Sequence, residues 1–152
     1  MSSHAPYSIE YHPADALASL REDENIFAIV RSGGASSTLS PHAIDFEIDL
    51  PSLGAERIEA WRSDKLLKSG SFEHIRFKHS DTFIFGFIRL DESSFENLAF
   101  ATKSAYQQIH DALETTGFPS LLRMWNIFPD INKSEQDLER YRSFCLGRHQ
   151  AM

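Results

Sequence analysis

Apolar positions along the chain recur first with a period of two and later with a period near 3.6, which predicts several strands, a long helix, a returning strand and a closing helix. Tyr7, Ile9 and Tyr11 alternate with polar residues as a short edge strand would, and Ala14–Leu20 has room for one or two helical turns. Ile26–Arg31 (IFAIVR) reads as a strand, and the small polar segment Ser32–Pro41 as a loop. Ala43–Leu50 sets Ile44, Phe46 and Ile48 against Asp45, Glu47 and Asp49, a half-buried strand with an acidic outer face. Ile58–Arg62 is a shorter strand carrying Trp61, after which Lys65–Gly70 turns the chain. In Phe72–His79, Ile75 and Phe77 oppose His74, Arg76 and Lys78; Arg76 and Lys78 opposite an acidic strand face would form cross-strand ion pairs. Phe83–Leu90 (FIFGFIRL) is apolar on both faces and is expected at the centre of a sheet, covered on both sides.

Ser93 with Glu96 has the spacing of a capping box and opens a helix that runs to about Thr116. Phe95, Leu98, Thr102, Ala105, Tyr106, Ile109 and Leu113 would form its buried stripe, and Gly117 with Pro119 ends it. Leu121–Phe128 then returns as a strand, closing a β–α–β unit with a right-handed crossover. Pro129 breaks that run, and a last helix starts with Asn132 or Ser134 as cap, Glu135 or Asp137 three residues on. The layout is α+β: a mixed, mostly antiparallel sheet with helices packed on one face. With no internal repeat, low-complexity run or linker, residues 1–152 are expected to form a single domain.

A chain of 152 residues buries roughly two thirds of its unfolded surface. Its 41% hydrophobic and 24% charged residues are ordinary for a globular protein. The formal charge of −7 argues against nucleic acid or an anionic membrane as partner. A small anion stays within reach, because a local arginine pair outweighs a diffuse field at contact distance. Cys145 is the single cysteine, so no disulfide framework is expected. The opening MSSHAPYSIEYH lacks the blocks of a signal peptide, and no apolar run approaches the ~20 residues that span a bilayer; a cytoplasmic location is expected.

Candidate chemistry collects in Leu121–Arg148. Tyr141 and Arg148 are seven positions apart on the last helix, nearly two turns, which places both on one face with Cys145 between them. A guanidinium grips a carboxylate bidentately and a phenol adds a directed hydrogen bond. Gly147 as a helix-ending residue would instead take Arg148 off that face, where a terminal arginine commonly satisfies carbonyls or an acid. Arg123 shares a strand face with Leu121, Trp125 and Ile127, either paired with an acid or bound to a ligand, while Asn126 lies on the other face by parity. Cys145 and His149 are four apart and could imitate a thiolate–imidazole pair, although a helical cysteine is more often a small hydrophobe. The seven histidines show no metal-ligand spacing, and the glycines of RSGGASST lack a phosphate-loop ending.

The motifs RMWN, then Pro129, Ile131 and Asn132, and ERYRSFCLGR resemble the chorismatases, a family also labelled pteridine-dependent dioxygenase-like; FIFGFIRLDE and GFPSLLR extend the likeness upstream to about Trp61. The resemblance implies a YjgF/RidA-like fold, chorismate as substrate and pyruvate as one product; no cofactor is expected, and the histidine spacing gives no expectation of a metal. It also implies that Tyr141 and Arg148 line the substrate site. Family members generally carry Tyr where this chain has Ile127, which bears on any contact made by that phenol. The family continues after the Gly-Arg of its motif into a second domain bearing the catalytic glutamate, so residues 1–152 correspond to the amino-terminal half, with the carboxy-terminal catalytic domain outside them.

Three functions follow. The chain is the amino-terminal part of an enzyme converting chorismate to pyruvate plus a dihydroxycyclohexadiene carboxylate or hydroxybenzoate. Alternatively it is a catalytically incomplete binding or assembly module, self-associating or pairing with a separate chain. A weaker alternative is a RidA-like imine or enamine deaminase, which also uses an arginine for a carboxylate.

Overall fold

The computed structural model describes residues 5–32, 42–50, 54–135 and 137–152. The loop predicted at Ser32–Pro41 falls almost entirely outside them. The chain divides into two compact units, one of Met1–Gly70 with Phe77–Phe85, the other of Ser71–Arg76 with Gly86–Met152.

The first unit contains a four-stranded sheet with spatial order β1-β4-β2-β3, from β1 (Ser8–Pro13), β2 (Ile26–Ser32), β3 (Ile44–Ile48) and β4 (Arg57–Arg62). β1 and β2 pair antiparallel with β4, whereas β2 and β3 are parallel, with Ile29 opposite Asp45. A bulge between Ile26 and Ala28 interrupts the alternation, and Ile26–Ile29 are all buried. One cluster gathers Leu20, Ile26, Ile29, Ala43, Ile58 and Ala60 with Ala16 and Leu17, the last two from a 3-10 turn and α1 (Leu17–Glu22). Another joins Phe27, Ala28 and Trp61 to Phe83 and Phe85.

Asp45 departs from the acidic outer face expected of its strand. Its side chain is fully buried, and it accepts hydrogen bonds from Arg21 Nε at 2.7 Å and Arg31 Nε at 2.9 Å. Arg31 also reaches Glu47 at 3.3 Å. The ion pairs of this strand therefore come from α1 and β2, in place of the expected Arg76 and Lys78. The Lys78 ammonium donates to the carbonyl of His42, and burial pushes its pKa down.

β5 (Lys68–Phe72), β6 (Ile75–His79) and β7 (Ile84–Ile88) form a three-stranded sheet in that order. The turn expected at Lys65–Gly70 thus gives way to strand from Lys68, and the reversal falls at Glu73, whose φ of 47° is left-handed. Ile75 and Phe77 are buried as their alternation requires. β7 lies at an edge of its sheet and is only half-buried; the strand buried over four successive residues is β2.

In the second unit α2 spans Leu98–Thr116. Its cap is Asn97, whose side chain accepts from the Phe100 amide at 3.2 Å, and not Ser93, which sits in a short 3-10 turn capped by Asp91. Gly117 ends α2 at φ 77°, as predicted. Leu121–Phe128 joins no sheet, so the expected β–α–β unit does not close among the described residues. The last helix, α3 (Arg140–Ala151), starts later than Asn132 or Ser134. A short hairpin, β8 (Ser134–Glu135) with β9 (Leu138–Glu139), intervenes. Carbonyls of Lys133 and Ile131 accept from the amides of Arg140 and Tyr141, so loop backbone serves these first-turn donors in place of a side-chain cap.

Candidate functional site

The site is built on α3 and on what anchors it. Arg140 is buried at the first position of the helix. Its guanidinium donates to both oxygens of Glu92, at 2.7 and 2.6 Å, to Glu135 at 2.9 Å and to the Pro129 carbonyl at 3.2 Å. The Glu92 carboxylate foremost holds this guanidinium more firmly protonated than usual. Arg140 was not singled out from the sequence, because its partners come from elements 5 and 48 residues away.

Further along, Gly147 is buried inside the helix and lies against α2; a Cβ there would stand 2.8 Å from Thr102 Cβ and 2.9 Å from the Ala99 carbonyl carbon. Gly147 is therefore a packing glycine, and α3 continues through Arg148 to Ala151. Phe144 is buried between Leu98 and Tyr106, with Met124, Phe128, Cys145 and Ala151 packed on that cluster. The Phe128 ring stacks on Phe144 at a centroid distance of 4.9 Å.

Tyr141 and Arg148 both meet the Phe144 ring, the phenol at a centroid distance of 6.5 Å and the guanidinium carbon 5.8 Å above it. The common face predicted from their spacing is present, since Gly147 does not end the helix. Both are exposed, and among the described residues Arg148 has no carboxylate partner. An open cation, an open phenol and an aromatic edge between them suit a planar or ring-bearing anion.

The remaining candidates lie differently. Arg123 is exposed, its guanidinium 5.0 Å over the Trp125 ring, the i, i+2 contact of one strand face. Cys145 is half-buried and packs against the Phe144 cluster, as a small hydrophobe does. His149 is exposed. Asn126 accepts a hydrogen bond from the Tyr106 hydroxyl at 3.2 Å and so ties its segment to α2. Elsewhere, a cavity of about 210 Å³ in the first unit is lined by Glu24, His42, Lys65 and Lys78 among others, mixing both signs of charge. Among the described residues no three His, Cys, Asp or Glu side chains group as a metal site would, and no helix is long and apolar enough to cross a membrane.

Residues 59–152 match the family described as chorismatase FkbO/Hyg5-like, N-terminal. A chorismatase of Streptomyces rapamycinicus is 37% identical over 95 residues, which is 62% of this chain and 28% of that protein. A 3-hydroxybenzoate synthase of Streptomyces hygroscopicus is 30% identical over 131 residues, 84% of this chain and 38% of that protein. A chorismatase crystal structure superposes with a TM-score of 0.80 at 27% identity, over 95% of this chain and 44% of its own. The chain thus spans well under half the length of these relatives. The match over residues 59–152, on the α+β fold shared with a solved chorismatase, shows that this chain belongs to the FkbO/Hyg5-like chorismatase family and corresponds to its amino-terminal part.

Proposed function

We propose that the chain is the substrate-binding amino-terminal part of a chorismatase, acting in the conversion of chorismate to pyruvate and a dihydroxycyclohexadiene carboxylate or hydroxybenzoate. The observation that supports this most is the pair Tyr141 and Arg148 around Phe144, in a chain of this family. Chorismate carries two carboxylates and an enol ether on a non-aromatic ring. Arg148 takes one carboxylate through a charge-assisted pair, the Tyr141 hydroxyl bonds a ring or ether oxygen, and Arg123 is a further cation for the second carboxylate. The reaction also needs a carboxylic acid to protonate the enolpyruvyl methylene; one water is consumed when the second product is the dihydroxycyclohexadiene carboxylate, and none on balance when it is hydroxybenzoate. That acid is expected from the further polypeptide that the longer relatives carry. The exposed apolar side chains of Leu121, Leu122 and Ile127 favour a second, compatible reading, that of one half of an assembly.

The test is a calorimetric titration of the chain with chorismate, alongside an assay of pyruvate release. Arg148→Ala is expected to weaken binding by at least about tenfold, the worth of one charged hydrogen bond, and Tyr141→Phe by about threefold. No pyruvate is expected from the chain alone. Binding indifferent to Arg148→Ala would refute the site, and pyruvate release that Arg148→Ala abolishes would refute the division of labour.

A further inference from the structure

We propose that the cavity of about 210 Å³ in the first unit is a binding site for a small monocarboxylate, whose oxygens are held by the Lys78 ammonium with Lys65 as a second cation. It takes no residue from the site proposed for chorismate.

Lys78 is the reason to expect a ligand. It follows the buried Phe77 on β6, and its own side chain is half-buried. An ammonium has three hydrogens to donate, and this one gives a single hydrogen bond, to the carbonyl of His42. Among the described residues no carboxylate pairs with it. A cation withdrawn from water without a counter-charge is costly, and charges so placed are normally paired. The downward push of burial on the Lys78 pKa expresses the same imbalance, since no acid offsets it. Two of its hydrogens are therefore left for the cavity that Lys78 lines.

The rest of the lining selects the anion. The Lys65 ammonium stands 3.7 Å from Asp81 with both side chains largely exposed, a weak pair that a ligand carboxylate can displace. Glu24 is the one carboxylate of the described lining and pairs with neither lysine; His42 completes its titratable groups. Two lysines against one glutamate leave a single positive charge to be balanced, which a monoanion does and a dianion exceeds. Asn25 and Ser69 are the neutral polar residues, while the buried Phe27 and Leu67 give a wall for a short carbon body. A phosphate, which asks for donors on every side, would lose them at that wall. At roughly 30 Å³ for each water of the liquid, the cavity has the volume of about seven waters, enough for a carboxylate of about three to five carbons.

The test titrates the isotope-labelled chain with propionate, and separately with inorganic phosphate, following backbone amides and the Lys78 side chain by NMR. Saturable shifts centred on Asn25, Ser69 and Lys78 are expected, with phosphate at least about tenfold weaker. Lys78→Met is expected to weaken propionate at least about tenfold, Lys78→Arg by under about threefold, and Arg148→Ala not at all. The unaltered chain supplies a readout that needs no variant. Saturating propionate should raise the Lys78 titration midpoint, because a bound carboxylate favours the ammonium form. Shifts that never saturate, or that spread over the surface lysines, would overturn the site. So would affinity indifferent to Lys78→Met, an unmoved Lys78 midpoint, or propionate binding lost with Arg148→Ala, which would place the anion on α3. Phosphate binding as tightly as propionate would overturn the assignment to a monocarboxylate.

Discussion

Gly147→Ala sets two effects of opposite sign against each other, and the structure decides between them. In an open helix interior, alanine in place of glycine is worth about 1 kcal/mol of added stability. Here the new methyl would lie 2.8 Å from Thr102 Cβ and 2.9 Å from the Ala99 carbonyl carbon, with the Ala99 oxygen as its nearest neighbour. Carbon atoms rest at roughly 3.5–4.0 Å, so the two helices must separate by about 1 Å. Neither obstacle is the tip of a flexible side chain: one is backbone of α2, the other a Cβ fixed to it. Overpacking of this kind costs about 1–3 kcal/mol, and the shift also loosens Phe144 from Leu98 and Tyr106, so a net loss of about 1–2 kcal/mol remains. Urea unfolding followed by far-UV circular dichroism would read this as a lower midpoint, and a melting scan as a fall of about 2–8 °C. Arg148 moves with the helix, so weaker chorismate binding is expected as well. Equal or greater stability in the variant would refute the close helix contact on which the placing of Arg148 depends.

Arg140→Met should leave Glu92 and Glu135 without their shared cation and cost about 1–3 kcal/mol, less than a fully buried pair because both carboxylates reach solvent; faster amide exchange at Tyr141–Phe144 would locate the damage, and slow exchange there would contradict it. Acid is expected to weaken the first unit through Glu10 and Asp23. The Arg62 guanidinium above all holds Glu10 below its ordinary 4.5, while Asp23 is held below 3.8 first by the Asn25 amide and then by Arg62. Since both folded values are depressed, the unfolded chain binds more protons in this window. The stabilisation is present above the ordinary values and lost as pH falls through the folded ones. Each carboxylate is partly exposed and worth under about 1 kcal/mol, so Asp23→Asn should flatten the stability profile only slightly between about pH 5 and about pH 3; an unchanged slope would remove Asp23 from this account.

What was legible in the chain was what depends on neighbours in sequence. The alternation in Ile75–Phe77, the left-handed stop at Gly117 and the shared face of Tyr141 and Arg148 are all set by local period and local chemistry. What was not legible depended on distant partners. Asp45 looks like an outward acid until Arg21 and Arg31 arrive from 24 and 14 residues away. Asn132 and Ser134 resemble caps, but loop carbonyls supply the first-turn acceptors and the helix waits for Arg140. FIFGFIRL is apolar enough for a central strand, yet among the described residues β7 stands at the end of the order β5-β6-β7, and centrality is not a property of composition. Leu121–Phe128 alternates from Arg123 onwards yet has no strand assignment among the described residues, because alternation reports which face is covered and not which backbone groups pair.

The clamp on Asp45 has a consequence for how this sequence can diverge. Parallel strands cannot take their alignment from a tight hairpin, so something other than the connection must set how β3 lies along β2. A slide by one residue would bring Ile44 or Phe46 to two guanidinium groups. A slide by two would bring the longer Glu47 or the uncharged Ala43, neither of which replaces the aspartate. The alignment is thus encoded by one carboxylate and two arginines. Insertions and deletions between Ser32 and His42 should be tolerated across homologues with the strand pair unmoved, whereas Arg21, Arg31 and Asp45 should change together or not at all.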